Sequence, residues 1–480
     1  CPFFLILLIE FIFHRNMKNI YFEFLIGGFF MHKKLFISFA IIYVMLLGAY
    51  PLLEPDETRY VTMARDMFTS GNYLTLYLNG EYFFEKPPLF FWLESLSFWF
   101  FKDISEFTAR FPVVILSLLP LGLLFSLSEK VKNQKFAFLN SAILLTTLEY
   151  VLITKIAMLD SVLTSLVSSS VLCYFFTFFV SEENKKYFWY SCYILMGLAV
   201  LAKGIPGVVI PAGTILAGTI IFRTYKETLK NMPVGIVLFL IIALPWHIIM
   251  LLKHGSLFFN EYIIKHHLMR FLGAEVIHRN EPVYFYFVTL LWGLFPWIFS
   301  LLSSLRKPRK FNLENGYDKF LVLNITAILV ILVFFSCSGA KLITYILPVY
   351  PFFAVLIGHI WYERSIKKFM VIVAVMTILG GFASPFGYKL DYSFGQNDLM
   401  QFAKMAKDNN YTISTYKTGK KYSLLYYSGL KNVEFQTGEN PEWLRNELCR
   451  KNNYLIVRNK EIKDLPVNTE IVKQGVKYSI

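Results

Sequence analysis

The chain has 480 residues, 56% of them hydrophobic and 17% charged, with a formal net charge of +14. A soluble domain is about 25% charged, so an ordinary soluble fold is excluded. Nucleic-acid binding is excluded too, because Lys and Arg lie mostly in short loops between apolar runs, where they orient membrane segments, and partly in a polar tail. The five cysteines form neither a disulfide framework nor a CxxC metal signature.

The chain opens with Cys1, and residues 1–30 are rich in Phe and Ile but broken by Glu10, His14, Arg15, Lys18 and Glu23. They read as an N-terminal extension without function, or as one more membrane-associated segment. Met31-His32-Lys33-Lys34 has the look of a natural start, and no small-residue cleavage site marks a signal peptide. Apolar runs long enough to cross a bilayer, roughly 20 residues each, are predicted near 35–53, 107–127, 137–154, 161–180, 187–202, 205–222, 233–252, 283–304, 320–338, 342–361 and 369–387. The fold class is therefore a polytopic α-helical membrane protein with about eleven transmembrane helices. Residues 56–68 read as a helix. Residues 88–101 are apolar but short, begin with two prolines and carry Glu94, so they read as a juxtamembrane helix in the interface. Three segments follow: the doubtful extension 1–30, a transmembrane domain 31–387, and a small α/β domain 388–480. In the last, a helix is predicted over 397–409 and strands over 411–417, 422–427, 432–436 and 453–458.

Charge sets the orientation. Lys33-Lys34, Lys130 to Lys135, Lys185-Lys186, Arg223 to Lys230, Arg306 to Lys310 and Arg364 to Lys368 mark one set of loops as cytoplasmic. The alternate loops then face outward, and they hold every segment with chemical character. Glu54-Pro55-Asp56-Glu57-Thr58-Arg59-Tyr60 is an acid-rich helix cap or a site. Glu85-Lys86-Pro87-Pro88 presents an acid and a base from a rigid backbone, as an interfacial salt pair or as a metal and phosphate ligand. Asp160 is solvated, caps the next helix, or is used. Lys203, between Ala202 and Gly204, stands on the outer side against the orientation rule; it snorkels or meets an anion. His266-His267 precedes Arg270, which shares a helix face with His267, and neutral histidines ligate metals. Lys341 begins another helix on the same side, and binds donor phosphate or snorkels. Cations neutralise a leaving phosphate and an acid serves as general base. The set suits group transfer from a phosphate-linked lipid. No P-loop or Rossmann fingerprint points to a nucleotide donor, and no internal repeat points to a transporter of lipid-linked sugar.

The ordered series PDETRY at 55–60, EKPP at 85–88, AMLD at 157–160, LAKG at 201–204, His267-x-x-Arg270-Phe271 and Lys341-Leu342 with Tyr345-Ile346-Leu347-Pro348 resembles the bacterial branch of the dolichyl-phosphate-mannose protein mannosyltransferase superfamily. Within it, the series is most similar to the undecaprenyl-phosphate aminoarabinose transferases that modify lipid A. The resemblance implies a C-type glycosyltransferase fold in the bacterial inner membrane, with the active site and the C-terminal domain extracytoplasmic. It implies a polyprenyl-phosphate sugar donor and an acceptor that is lipid A, another envelope glycan or a protein, with inversion by direct displacement. By motif, Asp56 is the leading catalytic acid and Asp160 a second. Glu85 and His267 match a divalent metal site, with zinc expected. Lys86, Lys203 and Arg270 match positions near donor or acceptor phosphate, and Arg59 and Lys341 are placed with them. Relatives often read Glu-His where this chain has His266-His267, so either histidine is a candidate ligand.

Overall fold

The computed structural model describes residue 44 and residues 47–272, 281–304, 310–393, 395–466 and 469–480. The expectation for residues 1–30, and most of the span expected at 35–53, lies outside the described residues. The chain divides into two compact units. One comprises Cys1–Met45, Phe84–Trp92 and Phe111–Gly381, the other Leu46–Phe83, Leu93–Arg110 and Phe382–Ile480.

The first unit is helical. Its described core is the helix Leu159–Phe176, in which every residue is buried. A helix with no polar face belongs inside a bundle. Its serines tie it to its neighbours: the Ser170 hydroxyl donates to the Cys192 carbonyl at 2.8 Å and Ser168 to the Pro348 carbonyl at 3.2 Å. Small hydroxyl residues allow such close helix approach. The helix Glu182–Lys203 lies against it, followed by Pro206–Phe222, Tyr225–Phe258 and a π-helix, Phe259–Met269. Local chemistry sets the starts. Asn133 accepts from the Phe136 amide at 3.0 Å, Asn315 accepts from the Tyr317 amide at 2.8 Å, and Pro206 occupies a first turn, where its missing donor is harmless.

Two expected spans are interrupted and a third changes helix type along its length. The run 137–154 becomes Gln134–Leu144 and Leu148–Ile153, with the Thr146 and Thr147 hydroxyls bonded back to the Ala142 and Ile143 carbonyls at the break. The run 283–304 becomes Phe285–Gly293 and Ile298–Ser304, bent by 115°, with Pro296 between them. The run 342–361 opens as a 3-10 turn, Ile343–Val349, which contains Pro348, before the helix Tyr350–Tyr362. Among the described residues five helices are long and apolar enough to cross a membrane, or six if the bent pair is one span.

In the second unit the helix Asp56–Ser70 starts where expected and ends at Gly71, whose φ of 72° closes it in the left-handed region. Strands β1 Tyr77–Leu78 and β2 Glu81–Tyr82 pair antiparallel, and a four-stranded sheet has the order β4-β3-β5-β6, with β3 Thr412–Tyr416, β4 Glu434–Gln436, β5 Asn453–Arg458 and β6 Tyr478–Ser479. β3 is parallel to β4 and β5, and β6 is antiparallel to β5. The helix Gln396–Asn409 covers it through Leu399, Phe402 and Ala406. One expected strand is wrong: 422–427 is the helix Ser423–Ser428. A short apolar run does not distinguish helix from strand. Here Arg65 decides, donating to the Leu425 carbonyl at 2.7 Å and the Tyr426 carbonyl at 2.9 Å. A cation on helix-end carbonyls satisfies groups that a strand would have to pair elsewhere.

Candidate active site

Two helix ends meet in the first unit. Asp160 lies in the first turn of Leu159–Phe176 and Lys203 is the last residue of Glu182–Lys203. Each charge sits at the end that its helix dipole favours. The Lys203 ammonium bonds the Asp160 carboxylate, both side chains being nearly buried. Lys203 Nζ also lies 4.3 Å from the centre of the Tyr345 ring, and Arg270 donates to the Tyr345 hydroxyl at 3.0 Å. Tyr345 thus stands between two cations.

The π-helix Phe259–Met269 delivers the histidines. His267 Nδ1 lies 2.5 Å from the Tyr262 carbonyl. A carbonyl only accepts, so Nδ1 carries a proton. His267 Nε2 is turned against Gly204, where an added Cβ would run into it. Gly204 has φ +83°, so both space and backbone require glycine there. His247 bonds the Tyr262 hydroxyl at 2.9 Å and fixes the ring under His267.

Lys86, Lys203, His266, His267, Arg270 and Tyr345 line one cavity of about 460 Å³. Leu163, Val209, Ile263, Phe271 and Phe334 supply apolar wall. Lys341 is buried and donates to the Ser338 carbonyl at 2.8 Å, while Ser338 and Ala340 line the cavity. Glu85 is not among the lining residues. Among the described residues no three His, Cys, Asp or Glu side chains come together as a metal-binding group. The expected ligands are Glu85 with either histidine; His267 Nδ1 donates to the Tyr262 carbonyl, which leaves Nε2 as its acceptor atom, and His266 Nε2 lies 3.6 Å from Glu261.

In the second unit the three clustered acids separate. Glu54 accepts from the Ser423 amide at 2.5 Å. Glu57 is buried and receives Arg110 Nε and Nη2, each at 2.7 Å. Asp56 keeps the accessible carboxylate, with its side chain 40% exposed, and is held by Arg59 at 2.8 Å. Arg59 also donates to the Tyr60 hydroxyl at 2.9 Å. Two of the acids are thus structural, and Asp56 alone of the three presents its carboxylate.

Tyr262 escaped the sequence reading because five-residue spacing along a π-helix has no apolar period to betray it. Tyr345 was visible inside the Lys341 motif but carried no charge to single it out.

Residues 85–249 match the family described as Dolichyl-phosphate-mannose-protein mannosyltransferase. The undecaprenyl phosphate-alpha-4-amino-4-deoxy-L-arabinose arabinosyl transferase of Yersinia enterocolitica is 29% identical over 315 residues, 65% of this chain and 55% of that protein. Its counterpart 1 of Proteus mirabilis is 30% identical over 330 residues, 68% of this chain and 58% of that protein. The chain thus spans little more than half the length of these curated relatives. The crystal structure of ArnT from Cupriavidus metallidurans bound to undecaprenyl phosphate superposes with a TM-score of 0.77 at 19% identity, covering 93% of this chain and 97% of that one. The resemblance read from the motifs holds. The chain is similar to the aminoarabinose transferases, and its mostly helical fold resembles that of ArnT, the C-type glycosyltransferase fold. Its apo counterpart superposes with a TM-score of 0.74.

Proposed function

We propose that this protein is a polyprenyl-phosphate-dependent glycosyltransferase that moves a sugar, aminoarabinose in the first instance, to lipid A or another envelope acceptor at the outer face of the bacterial inner membrane. The observation that carries the reading is the cavity in which Lys86, Lys203 and Arg270 share an apolar enclosure. A lipid phosphate needs that pairing of cations with apolar wall. The similarity to arabinosyl transferases named for an undecaprenyl phosphate donor supports it.

In this reading an acceptor oxygen attacks the anomeric carbon, the bond from that carbon to phosphate oxygen breaks, and configuration inverts. Lys86, Lys203 and Arg270 neutralise the departing phosphate. Asp56 takes the acceptor proton, with Arg59 orienting its carboxylate. Asp160 aims Lys203, and Lys341 holds the Ser338 turn beside the phosphate. Eleven spans, cytoplasmic basic loops and an extracytoplasmic segment after residue 387 belong to the same proposal, resting on the loop charges. A divalent ion, with zinc the first candidate, would be held by Glu85 and one of the two histidines, where it would supply further positive charge against the phosphate; metal analysis of the purified protein tests this.

The experiment supplies radiolabelled undecaprenyl-phosphate aminoarabinose and lipid A to the detergent-purified protein. Label on lipid A supports both substrates. Its absence with every polyprenyl-linked sugar tried, in protein that remains folded, overturns the transferase reading. Asp56→Asn is expected to lower turnover at least ~100-fold without loss of thermal stability.

A further inference from the structure

The C-terminal sheet carries a crevice that the transfer chemistry does not use. The strands β4, β3 and β5 are parallel and adjacent in that order. The chain leaves β3 for β4 on one side through the helix Ser423–Ser428, then returns through the helix Pro441–Leu448 to β5 on the other side. The connections from β3 and β5 therefore diverge. Open parallel sheets bind ligands at such a switch point, outside the carboxyl ends of the strands.

A crevice of about 630 Å³ lies there. Lys417 follows β3, Thr437, Gly438 and Glu439 follow β4, and Lys460, Glu461 and Lys463 follow β5. Lys417 takes a left-handed backbone, φ +53°, that its amide bond to the Gln436 carbonyl at 2.8 Å holds in place. Its ammonium is bonded to Glu439 at 2.8 Å and lies 3.7 Å from Glu461. The Glu439 side chain is 80% exposed, so it is a partner that an incoming anion can displace. An exposed ion pair is weakly held, whereas phosphate takes charge-assisted bonds from several ammonium groups at once.

The geometry points to a phosphate-binding site in this crevice, formed by Lys417, Lys460 and Lys463, with Glu439 as a displaceable occupant of the anion position. The ligand class is a phosphate ester, carried either by a soluble phosphosugar or by a lipid headgroup. The inference stands apart from the transfer reading, because binding is measured without turnover.

The test acetylates the lysines of the full-length detergent-purified protein and reads each by peptide mass spectrometry. Glucosamine 1-phosphate is compared with glucosamine, and phosphatidylglycerol nanodiscs with phosphatidylcholine nanodiscs. Loss of labelling at Lys417, Lys460 and Lys463 with the phosphosugar alone, Lys404 and Lys407 being unchanged, supports the site with a soluble ligand. The same loss only in phosphatidylglycerol supports it with a headgroup. Glu439→Gln should deepen the protection at Lys417, and the pair Lys460→Gln and Lys463→Gln should abolish it. Equal labelling under all four conditions, or protection that extends equally to Lys404 and Lys407, overturns the proposal.

Discussion

The Lys203 ammonium and the Asp160 carboxylate form an ion pair between the C-terminal end of one helix and the first turn of another, both almost out of contact with solvent. Removing one partner leaves a buried charge, which destabilises by about 3–5 kcal/mol. Asp160→Asn should therefore lower the melting temperature clearly. Lys203→Met with Asp160→Asn should recover much of the stability and none of the transfer. A double variant that melts no higher than Asp160→Asn alone would count against the pair as described.

Gly204→Ala places a methyl group against His267 Nε2 and asks alanine to hold φ +83°. Strain of this kind is on the order of 1–3 kcal/mol before any clash is added. Transfer should drop sharply, with the defect concentrated in donor binding. Donor titration against Gly204→Ala checks this, and an unchanged KM would contradict the placing of His267 at the cavity wall.

Arg110 gives Glu57 two bonds of 2.7 Å and reaches the Leu47, Tyr50 and Pro51 carbonyls as well. Lysine is a point charge and cannot reproduce that fork. Arg110→Lys should destabilise the second unit by several kcal/mol, on the order of the loss of a buried pair. Protease digestion in that unit should accelerate, and if it does not, the fork is not what holds residues 47–57 down.

Glu94 is wholly buried, and among the described residues neither of its carboxyl oxygens has a hydrogen-bond partner. Burial, reinforced by the Glu57 charge, pushes its carboxyl well above the usual range. The folded state therefore binds the proton more tightly than the unfolded chain. The stability this gives is full below about pH 4.5 and is lost as pH rises through the raised folded value. Melting temperature should fall from pH 5 towards pH 8 in the native protein, with Glu94→Gln flattening that slope. A slope identical in both proteins would assign the pH dependence to another group.

The helical membrane class, the helix at 56–70 and three of the four predicted tail strands were legible because long apolar runs and β-branched segments have only one efficient burial. The broken helices were not. Thr146-Thr147 and Phe295-Pro296 look like ordinary residues of an apolar run, and their effect depends on which carbonyls lie nearby. The strand expected at 422–427 failed for a related reason, because the deciding partner, Arg65, lies 360 residues away from Leu425. At the site, Lys203 was readable as a cation against the orientation rule, and Lys86, Arg270 and the two histidines as candidate phosphate or metal ligands, and they line one cavity. Which of Glu54, Asp56 and Glu57 keeps an accessible carboxylate was not readable. That depends on Ser423 and Arg110, whose contacts exist only after folding.

The bonds from Arg65 to Leu425 and Tyr426 also impose an order on synthesis. The ribosome finishes the Asp56–Ser70 helix some 350 residues before its acceptors emerge. Through that interval the helix carrying Asp56 has its Arg110 fork but lacks these two acceptors, and a nascent chain halted before Ser423 would hold its acid without them. A helix near the start of the second unit is thereby finished only by residues translated long after it.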